Sequence, residues 1–206
     1  MFIDHTHKFV FVAVPKTATS TIHNIFNQTE SLRRYDSYHP HFQKQYHYPF
    51  SEIEKLNPEV SDYFKFGFCR NPWDRMVSSW IEFTQSVDHL NTWSRSLPHD
   101  FKDFEDFILR LHDTEWANEI HFRPSSWYLY NDENQSVNFI GKYENFNDDL
   151  NHIIQTLDIE VSTENLPQIR KINRDKNYQK YYNNPEMIES VASFFKDDIE
   201  NFGYKF

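Results

Sequence analysis

Between Lys16 and Thr21 the chain crowds one cation and four hydroxyls, those of Thr17, Thr19, Ser20 and Thr21, into six residues. A fixed ammonium ringed by hydroxyl and main-chain N–H donors is chemistry suited to phosphate or sulfate. The stretch follows an apolar run, Phe9 to Val14, closed by Pro15, and precedes Ile22, Ile25 and Phe26 at helical spacing. Strand, short polar turn and helix aim main-chain N–H groups and a positive helix end at an anion. The loop is not a Walker A sequence: it lacks G-x-x-x-x-G-K, and its lysine precedes the hydroxyls. An ordinary corner with a solvated lysine would look similar, because short motifs match by chance.

A second cation, Arg70, stands at the end of another apolar run, Phe64 to Cys69. Arginine presents a planar fork suited to phosphate. Asn71 then reads as a helix cap with Pro72 at the first helical position. Trp73, Met76, Val77, Trp80 and Thr84 share one face of that helix, which also carries Ser78. Ligands in open α/β sheets bind at the carboxyl ends of strands. Lys16 and Arg70 are expected at the same sheet edge, because each follows a predicted strand.

Three histidines, His39, His41 and His47, precede the second strand and offer a base near neutral pH. A lone histidine is more often simply exposed or packed. Together the three would make a metal site with no obvious fourth ligand, so no metal is assigned.

The supporting elements follow from periodicity. Phe9 to Val14 reads as a strand buried on both faces, and Val137 to Gly141 as a short strand. Ser51 to Leu56 reads as a short helix with Ser51 as cap and Glu54 closing a capping box. Phe101, Phe104, Ile108 and Leu111 mark an amphipathic helix, and Leu150, Ile153, Ile154 and Leu157 another. Asn184 and Pro185 open a last helix running through Ile199. Arg33 to Phe50 and Ser86 to His99 read as loop. Alternating strands and helices predict an α/β fold, a parallel sheet with helices on both faces, in one domain over residues 1–206.

Composition sets further bounds. Phe 20, Tyr 12 and Trp 5 among 206 residues mean that rings fill much of the core. With only three glycines, few turns can rely on positive φ. A formal charge of −10 argues against a nucleic-acid partner. Cys69, the one cysteine, cannot form an intramolecular disulfide and reads as an inert buried thiol. Residues 1 to 8 hold no apolar leader core, and no stretch is apolar for long enough to span a bilayer. A cytoplasmic protein without membrane contact is expected; the oligomeric state is not legible.

PKTATST together with FKFGFCRNPWDRMVSSW resembles the sulfotransferases that use 3′-phosphoadenosine 5′-phosphosulfate (PAPS). The branch is the one holding carbohydrate sulfotransferases and their bacterial relatives. His121 to Leu150 resembles that branch's middle block and Leu166 to Phe206 its closing block, so the likeness covers nearly the whole chain in order. It implies a P-loop-like sulfotransferase fold, a central parallel sheet flanked by helices. It also implies PAPS as donor, no metal, and a carbohydrate or small-metabolite hydroxyl as acceptor.

By that resemblance Lys16, Thr17, Ala18, Thr19, Ser20 and Thr21 hold the 5′-phosphosulfate, with Lys16 also catalytic. Arg70 and Ser78 hold the 3′-phosphate. Arg170 and Lys171, in a basic loop with Arg174, face the nucleotide. His47, ahead of a short helix, matches the base position, with His41 next. Trp93, His121 and Arg123 are candidates for acceptor contact; Trp80 reads as core, and Trp127 is a weaker stacking candidate. Asp74, Arg75 and Glu144 read as braces. The family usually has glycine where Ala18 stands, so Ala18 is expected to keep a negative φ. Two other functions remain in view: a nucleotide kinase with a divergent phosphate loop, which would need Mg²⁺, and a nucleotide-binding module without turnover.

Overall fold

The computed structural model describes residues 1–27, 47–85, 100–161 and 174–206. Most of the two stretches read as loop lies outside these residues, as do His39, His41, Trp93, Arg170 and Lys171. The chain divides into two compact units, Met1–Arg70 with Ser125–Arg170 and Asn71–Pro124 with Lys171–Phe206.

The first unit is built on a four-stranded sheet in the order β1-β2-β3-β4, with β1 at Phe2–Asp4, β2 at Phe9–Val12, β3 at Phe64–Cys69 and β4 at Phe139–Lys142. β2, β3 and β4 run parallel, with Phe11 opposite Phe66 and Phe68 opposite Gly141. The expectation of an all-parallel sheet is corrected at one edge. β1 pairs antiparallel with β2, Ile3 opposite Val10, because the short turn between them permits only a hairpin. Phe9 to Val12 are fully buried, as the unbroken apolar run requires.

Helices α1 (Thr19–Asn27), α2 (Phe50–Leu56), α5 (Ser125–Leu129) and α6 (Phe146–Thr156) belong to this unit. Ile22, Ile25 and Phe26 of α1 join Phe2, Phe9, Phe11, Phe66, Leu150 and Ile153 in one core. Its rings meet tilted or edge-on, Phe2 to Phe9 at 5.5 Å and Phe11 to Phe66 at 5.3 Å, the arrangement aromatic quadrupoles favour. Gly67 is required by packing: a Cβ there would collide with the Leu129 side chain and lie 2.9 Å from the Val12 carbonyl. Ser51 does not cap α2. The cap position is Pro49, with φ −69 and no side-chain bond, and Ser51 lies inside the helix. Proline's fixed φ sets the helix start two residues early.

The second unit holds α3 (Pro72–Gln85), α4 (Phe104–Arg110), α7 (Pro185–Phe194) and α8 (Lys196–Phe202). Asn71 caps α3 as expected, its Oδ1 accepting from Trp73 N at 3.1 Å and Asp74 N at 3.3 Å. Asn184 caps α7 through the N–H of Glu186. The expected single last helix is two: α7 ends at Phe194, Phe195 with its φ of −107 and ψ of 30 interrupts it, and α8 follows. Phe195 is fully buried with its ring 5.2 Å from the Arg75 guanidinium, so packing sets the break. Among the described residues no helix is long and apolar enough to cross a membrane.

Candidate functional site

Three predicted groups converge at the carboxyl ends of β2 and β3. The loop after β2 takes a left-handed backbone at both Lys16, φ 67, and Ala18, φ 65. The expected negative φ at Ala18 is therefore wrong. Each non-glycine residue in that region costs about 1–2 kcal/mol, and such strain gathers where a loop is shaped for a task. Side chains hold the loop there. The hydroxyls of Thr17 and Thr19 both donate to the Val14 carbonyl, each at 2.9 Å. Their protons are thereby committed to the loop, and Thr17 is fully buried.

Arg70 supplies the third restraint. Its Nη1 donates to the Lys16 carbonyl at 2.8 Å, and its guanidinium lies 4.0 Å from the centroid of the Tyr143 ring. Arg70 is only 4% exposed, so a charge-assisted bond and a cation–π contact fix a buried cation. Tyr143 was not singled out in the sequence. Its signal was an aromatic directly after β4, a strand neighbouring the one that carries Arg70.

α1 begins where this loop ends. The N–H groups of Thr21 and Ile22 bond back to the Ala18 carbonyl at 2.9 and 3.1 Å. Those of Thr19 and Ser20 head the helix, where no intrahelical acceptor exists for them. The half-buried Ser20 and Thr21 lie in this first turn.

His47 reaches the same strand end. Its Nδ1 lies 2.7 Å from the carbonyl oxygen of Ala13. A carbonyl only accepts, so Nδ1 carries the proton and the neutral ring keeps its lone pair on Nε2. On α1, the His23 ring sits edge-on to Phe2 at 5.2 Å, and burial lowers it from 6.5 to about 4.

In the second unit Ser78 is buried on α3. Arg75 is fully buried and donates through Nη2 to the Arg123 carbonyl, and Asp74 pairs with Arg174. These contacts agree with the bracing expected of Asp74 and Arg75, and they turn Arg174 toward α3. His121 is held by both oxygens of Glu119, through Nδ1 at 2.9 Å and its own N–H at 2.6 Å. Arg123 Nε donates to the Asn118 carbonyl at 2.9 Å. Trp80 stacks on Phe107 at 5.1 Å, a packing contact. In the first unit Trp127 is 39% exposed and Glu144 is exposed, while Cys69 is buried. Among the described residues no group of three or more His, Cys, Asp and Glu side chains is placed to hold a metal ion.

A family model described as the sulfotransferase family matches residues 1–205. The chain belongs to the sulfotransferase family, whose members transfer sulfuryl groups. No curated protein and no solved structure matches it.

Proposed function

We propose that the protein moves a sulfuryl group from PAPS to a hydroxyl of a carbohydrate or small metabolite, with His47 as base. The observation that carries this reading is the convergence of Lys16, Arg70 and His47 on one strand end, inside a chain of the sulfotransferase family. β2, the loop through Ala18 and α1 act as a P-loop-like cradle. Both compact units fall within the one matched span, which favours a single functional domain.

PAPS supplies a sulfuryl group already activated on a phosphate. The Lys16 ammonium and the N–H groups heading α1 hold the phosphosulfate, and Lys16 offsets the charge that grows on the departing phosphate oxygen. Arg70 and Ser78 take the 3′-phosphate, the group that sets PAPS apart from simpler nucleotides. His47 Nε2 removes the acceptor's hydroxyl proton. The acceptor oxygen bonds to sulfur as the sulfur–oxygen bond to the 5′-phosphate breaks, and adenosine 3′,5′-bisphosphate leaves with that electron pair. Arg170 and Lys171 are assigned to nucleotide contact, and Trp93, His121 and Arg123 to the acceptor. The test is transfer of radiolabelled sulfate from PAPS to a panel of glycans and small hydroxyl compounds. Label should appear in at least one class. A protein that binds the nucleotide and labels none of them would be a binding module.

A further inference from the structure

Asn71 uses its whole amide. Oδ1 caps α3, and Nδ2 donates to the carbonyl of Lys205 at 3.0 Å and to the Tyr178 hydroxyl at 3.2 Å. The chain arrives there by leaving α8 through Gly203, whose φ of 67 suits a left-handed helix end. The N–H groups of Gly203 and Tyr204 both return to the Ile199 carbonyl.

Phe206 then sits edge-on to three rings, Trp73 at 5.6 Å, Tyr178 at 5.9 Å and Tyr182 at 5.4 Å. Two of these are themselves tied to α3 or its neighbours. The Tyr182 hydroxyl donates to the Trp73 carbonyl at 2.9 Å, and Trp73 Nε1 donates to the Ile188 carbonyl at 3.1 Å. Residues 204–206 therefore grip the first turn of α3 from the side chain of its cap and from the ring that follows. A helix needs only a capping oxygen to begin. The Nδ2 tie and the ring cage go beyond that need, and they act on the residue covalently next to Arg70.

We propose that the 204–206 segment is a latch that sets α3 for nucleotide recognition, with Asn71 and Phe206 as positioning residues for the 3′-phosphate. This rests on the assignment of Arg70 and Ser78 above, which stand on either side of the cap in sequence. The latch touches no nucleotide; it removes freedom from the turn that heads the helix carrying Ser78, and preorganised donors bind charge more tightly than donors ordered on binding.

The test is calorimetric affinity for adenosine 3′,5′-bisphosphate and for AMP, in parent, Asn71→Ser, Phe206→Ala and Phe206→Tyr, with melting temperatures alongside. Asn71→Ser keeps a capping oxygen and loses the amide nitrogen that reaches Lys205 and Tyr178, so it is expected to stay folded even if Phe206→Ala does not. The parent should prefer the bisphosphate. Asn71→Ser and Phe206→Ala should each cut that preference roughly tenfold, the weight of one charged hydrogen bond, while Phe206→Tyr, which keeps the ring, retains it. Variants that melt earlier but keep the parental preference would make the segment merely structural and overturn the latch. A parent that binds the two nucleotides equally would instead overturn the assignment of Arg70 and Ser78, and the latch with it.

Discussion

The guanidinium of Arg70 donates to the main-chain carbonyl of Lys16 at 2.8 Å. The two cations assigned to opposite ends of the nucleotide are thus mechanically joined, one holding the backbone of the other. Arg70→Ala should therefore do more than remove a phosphate partner; it should also release the loop at Lys16. Nucleotide affinity should fall by roughly 2–4 kcal/mol, the range for losing one member of a buried charged pair. Arg70→Lys should recover little, because an ammonium lacks the fork that lets one group bond Lys16 and stack on Tyr143. Calorimetry giving parental affinity for either variant would remove Arg70 from the site.

Ala18 has a glycine-like backbone, φ 65. Ala18→Gly relieves about 1–2 kcal/mol of left-handed strain and gives back about 0.4–1 kcal/mol through the freer unfolded chain. Ala18→Gly should be slightly stabilising. Ala18→Val should destabilise by more than the alanine strain itself, since a branched side chain is crowded further there. Thermal melts that leave Ala18→Val level with the parent would contradict the left-handed loop.

His47 is the assigned base, with Nδ1 held by the Ala13 carbonyl. His47→Ala should leave affinity for adenosine 3′,5′-bisphosphate nearly intact and lower turnover by roughly 10²–10⁴. Lys16→Ala should lose both affinity and turnover, since the ammonium meets the ligand before and during transfer. If His47→Ala turns over normally while His41→Ala does not, the base was assigned to the wrong histidine.

Acid should weaken the fold through His23. Burial lowers its imidazole from 6.5 to about 4, so the unfolded chain holds more protons between those values. The stabilisation is complete above the unfolded value and drains away as pH falls through that window. Its size is roughly 1–3 kcal/mol, the half-buried ring being partly screened. His23→Phe keeps an aromatic against Phe2 and removes the titration. Urea midpoints at pH 7 and pH 4.5 should converge more in this variant than in the parent; an equal drop in both would assign the acid sensitivity elsewhere.

What the sequence disclosed was governed by local chemistry. Asn71–Pro72 is readable as a helix start because cap and ring geometry act within four residues. Phe9 to Val12 is readable because a strand buried on both faces admits no polar residue. β1 was not, since three residues followed by a charged turn carry no period, and its pairing exists only against β2. Tyr143 gains its role from β4 lying beside β3. Ala18 defied its own preference because Thr17, Thr19 and Arg70 restrain the loop around it. The break at Phe195 has neither glycine nor proline to announce it.

The register of the parallel strands also dictates when the site can exist during folding. β1 and β2 are neighbours in the chain and can pair within microseconds. β2 meets β3 only when Phe11 finds Phe66, and β4 joins only when Phe68 finds Gly141, closures of long loops that slow a chain's search. Lys16 lies beside the early hairpin, whereas Arg70 and Tyr143 arrive with the late strands. The strained loop thus gains its buried cation last. A nucleotide that needs both has nothing to bind in a half-folded chain, so it should leave the folding rate unchanged and slow unfolding instead.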